Sequence, residues 1–159
     1  TGVSLRSTRA TDDDMKYLRG FVAIDGLDIS HTQITGAGMA YLRNLKAIQA
    51  INAFGCPLGD EGLEYLKELP KLYMLNLGGT KITNEGLRYV SRLKAVTDLN
   101  LAGTAVTDDG IQHLASIRRL EHLNLTGTKV TRDGVRRLKQ AVPKATISGP
   151  EPFDVLPGE

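Results

Sequence analysis

A period of 24 residues runs through almost the whole chain. Three copies are nearly identical: LNLGGTKITNEGL begins at Leu75, LNLAGTAVTDDG at Leu99 and LNLTGTKVTRDGV at Leu123. The same step reaches weaker copies that begin at Val3, Leu27, Ile51 and Ile147. Because the step holds without an insertion, the sequence predicts a stack of equal units along one axis.

Each unit has two halves with different hydrophobic periods. The first half alternates apolar and polar residues, which is typical of a strand with one buried face. The second half places apolar residues three apart, as at Leu87, Val90 and Leu93, which suits a short α- or 3₁₀-helix on a core. Neither half buries its apolar side alone, so stacked units must share a core between a parallel sheet and a helical layer.

The pattern L-x-x-L-x-L-x-x-T-x-[IV]-T-x-x-G-L resembles the leucine-rich repeat family, in particular its bacterial 24-residue repeats. The resemblance implies an α/β fold: a solenoid with a curved parallel sheet of about seven strands on its concave side and short helices on its convex side. We expect the repeat domain to cover residues 1–147, as six repeats plus a closing strand. Residues 148–159 form a Pro-rich tail, which either caps the last repeat or is disordered.

The repeated polar positions are interpreted as scaffold. The family's Asn position holds Thr8, Thr32, Cys56, Thr80, Thr104 and Thr128. A Thr hydroxyl at this position is expected to form hydrogen bonds with backbone groups of the turn that leaves the strand. The next Thr, as in Thr83, is expected to cap the helical segment. The recurrent glycine, as in Gly86, is expected to let the helix pack closely on the sheet. A strand, a glycine turn and a helix start in this order are also found in phosphate-binding loops. Because the same loop occurs in every middle unit, it is interpreted as scaffold and not as a single ligand site.

Composition excludes few functions. Lys and Arg number 20 against 18 Asp and Glu, which leaves a net charge of +2. The single cysteine, Cys56, excludes an intramolecular disulfide and CxxC motifs, and we expect no metal or cofactor. No apolar run reaches the roughly 20 residues of a membrane span, and localisation stays unassigned.

The N-terminal edge shows no evident cap. Asp14 replaces the recurrent glycine in the first unit. We expect either that the natural protein continues upstream or that another element covers Val3 and Leu5. A monomer is expected unless this edge pairs with another chain.

Function is expected on the concave face, where leucine-rich repeat arrays normally bind partners. The predicted role is a non-catalytic interaction scaffold for a protein or peptide. The candidate residues alternate with the buried strand leucines or flank them: Asp28, Asn52, Phe54, Tyr73, Met74, Asn76, Asp98, Asn100, His122 and Asn124. The four Asn form a row across the sheet. Their amide groups either form hydrogen bonds with one another or are available to the backbone of a partner, and the first interpretation is favoured.

Two other functions come from different classes. Asp98 and His122 on adjacent rungs, with Thr146 and Ser148 beyond, have the order of a hydrolytic triad, but an open sheet offers no evident oxyanion hole. An anion- or nucleic-acid-binding module would use the basic convex face of the later repeats: Arg88, Arg92, Lys94, Arg118, Arg119, Arg132, Arg136, Arg137 and Lys139. Interleaved acidic residues, and a lack of aromatic residues beside the basic ones, disfavour nucleic acid.

Overall fold

The computed structural model describes residues 1–149, which form one open sheet of seven parallel strands in sequence order. The strands are β1 (Gly2–Ser4), β2 (Gly26–Asp28), β3 (Ala50–Asn52), β4 (Met74–Asn76), β5 (Asp98–Asn100), β6 (His122–Asn124) and β7 (Thr146–Ser148). Equivalent residues of successive units lie directly opposite each other, as Leu75 lies opposite Leu99. The predicted solenoid is therefore confirmed.

A helical segment follows each of the first six strands, and strand plus segment make one rung, numbered 1–6 along the chain. The segments are a 3₁₀-helix at Asp12–Gly20, an α-helix at Gly36–Met39 that continues as 3₁₀ through Ala40–Leu42, a 3₁₀-helix at Asp60–Glu68, an α-helix at Asn84–Val90, an α-helix at Asp108–Ile111 followed by 3₁₀ at Gln112–Ser116, and an α-helix at Arg132–Ala141. Within residues 1–149 no helix is long and apolar enough to cross a bilayer.

One continuous apolar core lies between the sheet and the helical segments. The middle residue of β4, Leu75, is fully buried, and so are Leu77 just beyond it and Leu87 on the facing helix. The flanking strand residues remain at least partly exposed, as the period-2 alternation predicts. Every rung contributes the same set of positions, so each rung buries the apolar edge of its neighbour.

The turn that leaves each strand is held by the predicted threonine. The hydroxyl of Thr80 donates to the carbonyl of Leu77 at 2.6 Å, and Thr104 repeats this bond to Leu101 at 2.7 Å. The preceding residue has positive φ: it is glycine in rungs 3–6 but Ser7 and His31 in the first two rungs. Cys56 differs, because its thiol donates to the carbonyl of Ile29 in the previous rung at 2.9 Å.

Side chains at the start of one helical segment bind the start of the next. Asp108 accepts hydrogen bonds from the backbone N–H of Thr131 at 2.7 Å and from its hydroxyl at 2.6 Å. Asp12 binds Thr35 and Asp60 binds Thr83 in the same way. Asn84 is the amide version: its Oδ1 accepts from the Thr107 N–H, and its Nδ2 donates to the Thr107 hydroxyl. We call these four side chains the bridge residues: Asp12, Asp60, Asn84 and Asp108.

The bridge residues correct the role expected for the recurrent glycines. A Cβ placed on Gly134 would collide with the carboxylate of Asp108, and one on Gly110 would collide with the amide of Asn84. At Gly110 and Gly134 the glycine therefore makes room for a side chain of the neighbouring rung, rather than for the sheet. The expected helix caps are confirmed at Thr35, Thr83 and Thr131, but Thr107 makes no such cap.

In rung 1 the helical segment is capped by one of its own side chains. Asp14, in place of the recurrent glycine, accepts hydrogen bonds from the N–H and the hydroxyl of Thr11 at 2.8 and 3.1 Å. The start of this helix is thus capped from within, whereas the expectation for the apolar edge at Val3 and Leu5 stays a prediction. Exposed apolar side chains remain beside it, at Tyr17, Phe21 and Val22.

The last described strand is β7, which ends at Ser148. Residues 150–159 of the predicted tail lie outside the described residues, and so does its expected fold-back through Phe153, Val155 and Leu156.

Candidate functional site

The ten predicted site residues all lie on the exposed side of the sheet or at its rim. Three are mostly apolar and partly open to solvent: Phe54 is 36% exposed, Tyr73 40% and Met74 43%. Phe54 packs edge-on against His31, with ring centroids 5.3 Å apart, and covers Gly78 on the next rung. The sheet therefore brings apolar and polar candidates onto one continuous surface, the concave face.

The asparagine row is bonded within each rung, not amide to amide as the favoured interpretation predicted. The Oδ1 of Asn100 accepts the N–H of Ala102 at 2.9 Å, and Asn52, Asn76 and Asn124 each do the same two residues on. Each amide thereby holds the end of its own strand. Within residues 1–149 the Nδ2 groups of Asn76, Asn100 and Asn124 have no protein acceptor, so they remain donors on the concave face.

Asp28 is the acidic member of the same row. Burial alone would raise the pKa of its carboxyl group, but hydrogen bonds from Ser30 and Asn52 and the charge of Arg6 outweigh burial and lower it. The hydroxyl of Ser30 donates to this carboxylate at 2.6 Å. Asp28 is therefore a fixed negative charge at the N-terminal side of the concave face.

The C-terminal half of the concave face holds a polar groove of about 300 Å³. Its walls come from β4 to β7 and include Asn76, Asp98, Asn100, His122, Asn124, Thr146 and Ser148, with Met74 at one end. The N-terminal half holds a groove of about 530 Å³ with a more apolar lining, because Gly2, Gly26 and Ala50 occupy the positions of Asp98 and His122. Met74 borders both grooves.

The geometry does not build the hydrolytic triad. Asp98 and His122 are opposite each other in register, yet Asp98 accepts its hydrogen bond from the Thr97 hydroxyl at 2.6 Å. Within residues 1–149 His122 has no side-chain hydrogen bond, so no carboxylate orients its ring. Nor does any group of three His, Cys, Asp or Glu in that range lie where it could hold a metal ion.

The basic convex face of the later repeats is partly neutralised. Arg136 binds Asp133 at 2.7 Å, Arg88 binds Glu85 at 3.2 Å, and Arg137 lies 3.5 Å from the bridge residue Asp108. Burial alone would raise the pKa of the Asp108 carboxyl group. The hydrogen bonds from Thr131 and the charge of Arg137 outweigh burial, and the pKa is lowered. These contacts weaken the case for an anion site on rungs 4–6.

Sequence reasoning missed an aromatic row on the earlier convex face. Tyrosines recur every 24 residues, at Tyr17, Tyr41, Tyr65 and Tyr89. The guanidinium group of Arg19 lies over the Tyr41 ring at 4.8 Å, and that of Arg43 lies over Tyr65 at 5.1 Å. Basic residues of the convex face are thus accompanied by aromatic ones after all. The period that revealed the leucines also contained this signal.

Known proteins share this architecture. The leucine-rich repeat family model matches residues 70–91 and 95–115. A leucine-rich repeat protein of Leptospira interrogans superposes with a TM-score of 0.64 at 19% identity, over 84% of this chain and 33% of that one. No curated protein matches the sequence significantly.

Two internalins of Listeria monocytogenes are also similar in structure. One (inlF) has a TM-score of 0.69 and 17% identity over 92% of this chain and 46% of that one. Internalin C2 has a TM-score of 0.61 and 21% identity over 84% of this chain and 55% of that one. The chain thus spans between a third and about half of these structures, and the likeness shows the fold.

The fold is that of the leucine-rich repeat solenoids. Two of its repeats match the leucine-rich repeat family model, and its structural neighbours are bacterial leucine-rich repeat proteins. This fold suggests an interaction scaffold, and leucine-rich repeat proteins such as the internalins are generally non-enzymatic.

Proposed function

We propose that the protein is a non-catalytic scaffold that binds a protein or peptide on its concave face. The observation that carries the proposal is the composition of that face. A row of amide donors runs beside two grooves, and exposed Phe54, Tyr73 and Met74 lie around the boundary between them. Partly exposed aromatic and Met side chains beside polar donors are typical of interface centres.

The two grooves favour an extended or irregular segment of the partner. The polar groove offers Nδ2 donors to backbone carbonyls, and the carboxylate of Asp98 offers an acceptor to a partner N–H or cation. The apolar groove, floored by Gly2, Gly26 and Ala50, has room for a large apolar side chain. A partner that crosses Met74 would use both.

Site-specific photocrosslinking tests the face. A benzoylphenylalanine placed at position 73 is expected to capture a protein or peptide that the same group at convex position 88 does not. The captured species is then purified, and its affinity for defined variants is measured by calorimetry.

Met74→Ala and Asp98→Ala are each expected to weaken this affinity at least about tenfold, whereas Arg88→Ala leaves it within about twofold. Equal affinities of all three variants would refute the concave-face proposal. His122→Ala belongs to the same series. If it abolished turnover of a bound ester substrate, the protein would be an enzyme instead.

A further inference from the structure

We propose that the convex groove between rungs 1 and 2 binds a small phosphate ester, such as a phosphorylated sugar. This site is independent of the concave face. The groove has a volume of about 510 Å³ and is lined by Arg19, Ala37, Ala40, Tyr41, Arg43 and Asn44. Its lining thus includes two arginines and one asparagine, and no Asp or Glu.

The two arginines are held in place without being neutralised. Each guanidinium lies over a tyrosine of the next rung, Arg19 over Tyr41 and Arg43 over Tyr65. Stacking restricts the side chain but leaves the N–H donors at the guanidinium edge available. Within residues 1–149 neither arginine forms an ion pair. Both are thus preorganised donors for an oxyanion.

The next groove along the solenoid provides an internal comparison. It has the same architecture 24 residues on, with Tyr65 in place of Tyr41 and Lys67 in place of Arg43. However, Glu64 replaces Ala40 and Glu68 replaces Asn44, and the groove volume falls to about 230 Å³. Glu64 lies 3.2 Å from Lys67, and Glu68 lies 3.4 Å from Lys46. The same groove thus occurs at two places along the solenoid, and glutamates pair with the basic residues only in the second.

The chemistry of the open groove favours a dianionic phosphate with a compact organic group. Two cationic forks match the several oxygens of a terminal phosphate. The methyl groups of Ala37 and Ala40 leave space for a sugar-sized body, which the Asn44 amide and the Tyr41 hydroxyl can bind by hydrogen bonds.

Titration calorimetry with glucose 6-phosphate, inorganic phosphate and uncharged glucose tests this site at a constant ionic strength of about 0.15 M. We expect one bound glucose 6-phosphate per chain, weaker binding of inorganic phosphate and none of glucose. A phosphoserine peptide titrated alongside distinguishes a free ester from one carried on a protein. Tighter binding of the peptide would overturn the sugar phosphate as the ligand.

Variants locate the site. Arg19→Gln is expected to weaken glucose 6-phosphate binding about tenfold. Ala40→Glu with Asn44→Glu, which copies the neutralised groove and leaves both arginines intact, is expected to abolish it. Lys67→Gln, which changes the residue one rung on from Arg43, is the control and should change the affinity less than about twofold.

Circular dichroism melting confirms that each variant is folded before titration. No binding of glucose 6-phosphate at about 10 mM, a concentration that would still reveal very weak affinity, would overturn the proposal. So would equal losses in Arg19→Gln and Lys67→Gln, because they would indicate unspecific attraction to a basic surface.

Discussion

Four of the five contacts between successive helical segments use a bridge residue, whereas the contact between rungs 2 and 3 uses none. There Gly36 stands in the bridge position, and Gly59 replaces the threonine that would donate to it. The side chain of Glu61 occupies the space, since a Cβ on either glycine would meet its carboxylate. The bridge side chain and the threonine hydroxyl are therefore absent together.

The contact without a bridge is stabilised at the opposite end of the rung. The Cys56 thiol donates to the Ile29 carbonyl and lies 3.5 Å from the Thr32 hydroxyl, and the His31 ring packs on Phe54. All these contacts join rungs 2 and 3. The comparison indicates that strand pairing and core leucines set the rung spacing, and that the polar bonds at the helix starts are a separate, replaceable layer.

The largest expected effect isolates the space that a glycine provides for a bridge. In the wild type, Gly134→Ala should destabilise the fold by about 2 kcal/mol, because the new methyl group displaces Asp108 from Thr131. With Asp108→Ala already present, the same change should stabilise the fold by about 0.5–1 kcal/mol, since alanine favours a helix over glycine. Urea unfolding of the four proteins gives both values.

Gly134 suits this double-mutant cycle because the three nearest atoms to its added Cβ all belong to Asp108. Gly86 is the less clean site, since its Cβ would also meet Ile82. If Gly134→Ala were equally destabilising in both backgrounds, the glycine would be required by the backbone, and the bridge explanation would be wrong.

A second experiment would convert the unbridged contact into a bridged one. In a Glu61→Ala background, which removes the carboxylate from this space, Gly36→Asp together with Gly59→Thr should raise the free energy of unfolding by about 1 kcal/mol, from two hydrogen bonds and lost glycine freedom. Either change alone should give less than half of this gain. Gly62 still provides the required space, although a Cβ there would lie 2.7 Å from Gly36 Cα. A stability loss in the double variant would mean that rungs 2 and 3 are too close for a bridge.

The two layers also explain what the sequence could predict. Leu99 and its counterparts reveal their role by period alone, because strand alternation and helical spacing are local properties. The bond from Asp108 to Thr131 spans 23 residues, and it becomes visible only when two units are stacked. The same holds for Arg19 over Tyr41. Concave placement of Asp98 and His122 followed from register, but the bond from Thr97 that separates their roles depends on side-chain geometry.

The smallest effect concerns charge in the bridge layer. Asn84 already serves as a bridge, so Asp108→Asn should cost no more than about 0.5 kcal/mol near neutral pH. The pKa of Asp108 is lowered in the folded protein, so its carboxylate stabilises the fold above the ordinary aspartate pKa. That stabilisation is lost as the pH falls through the lowered folded-state pKa. The wild type should therefore lose its advantage over Asp108→Asn below about pH 4.

Urea titrations at several pH values measure this convergence, with Asp109→Asn, an exposed neighbour outside the bridge layer, as the control. If the gap between wild type and Asp108→Asn stayed constant with pH, the bridge would depend on shape alone and not on charge.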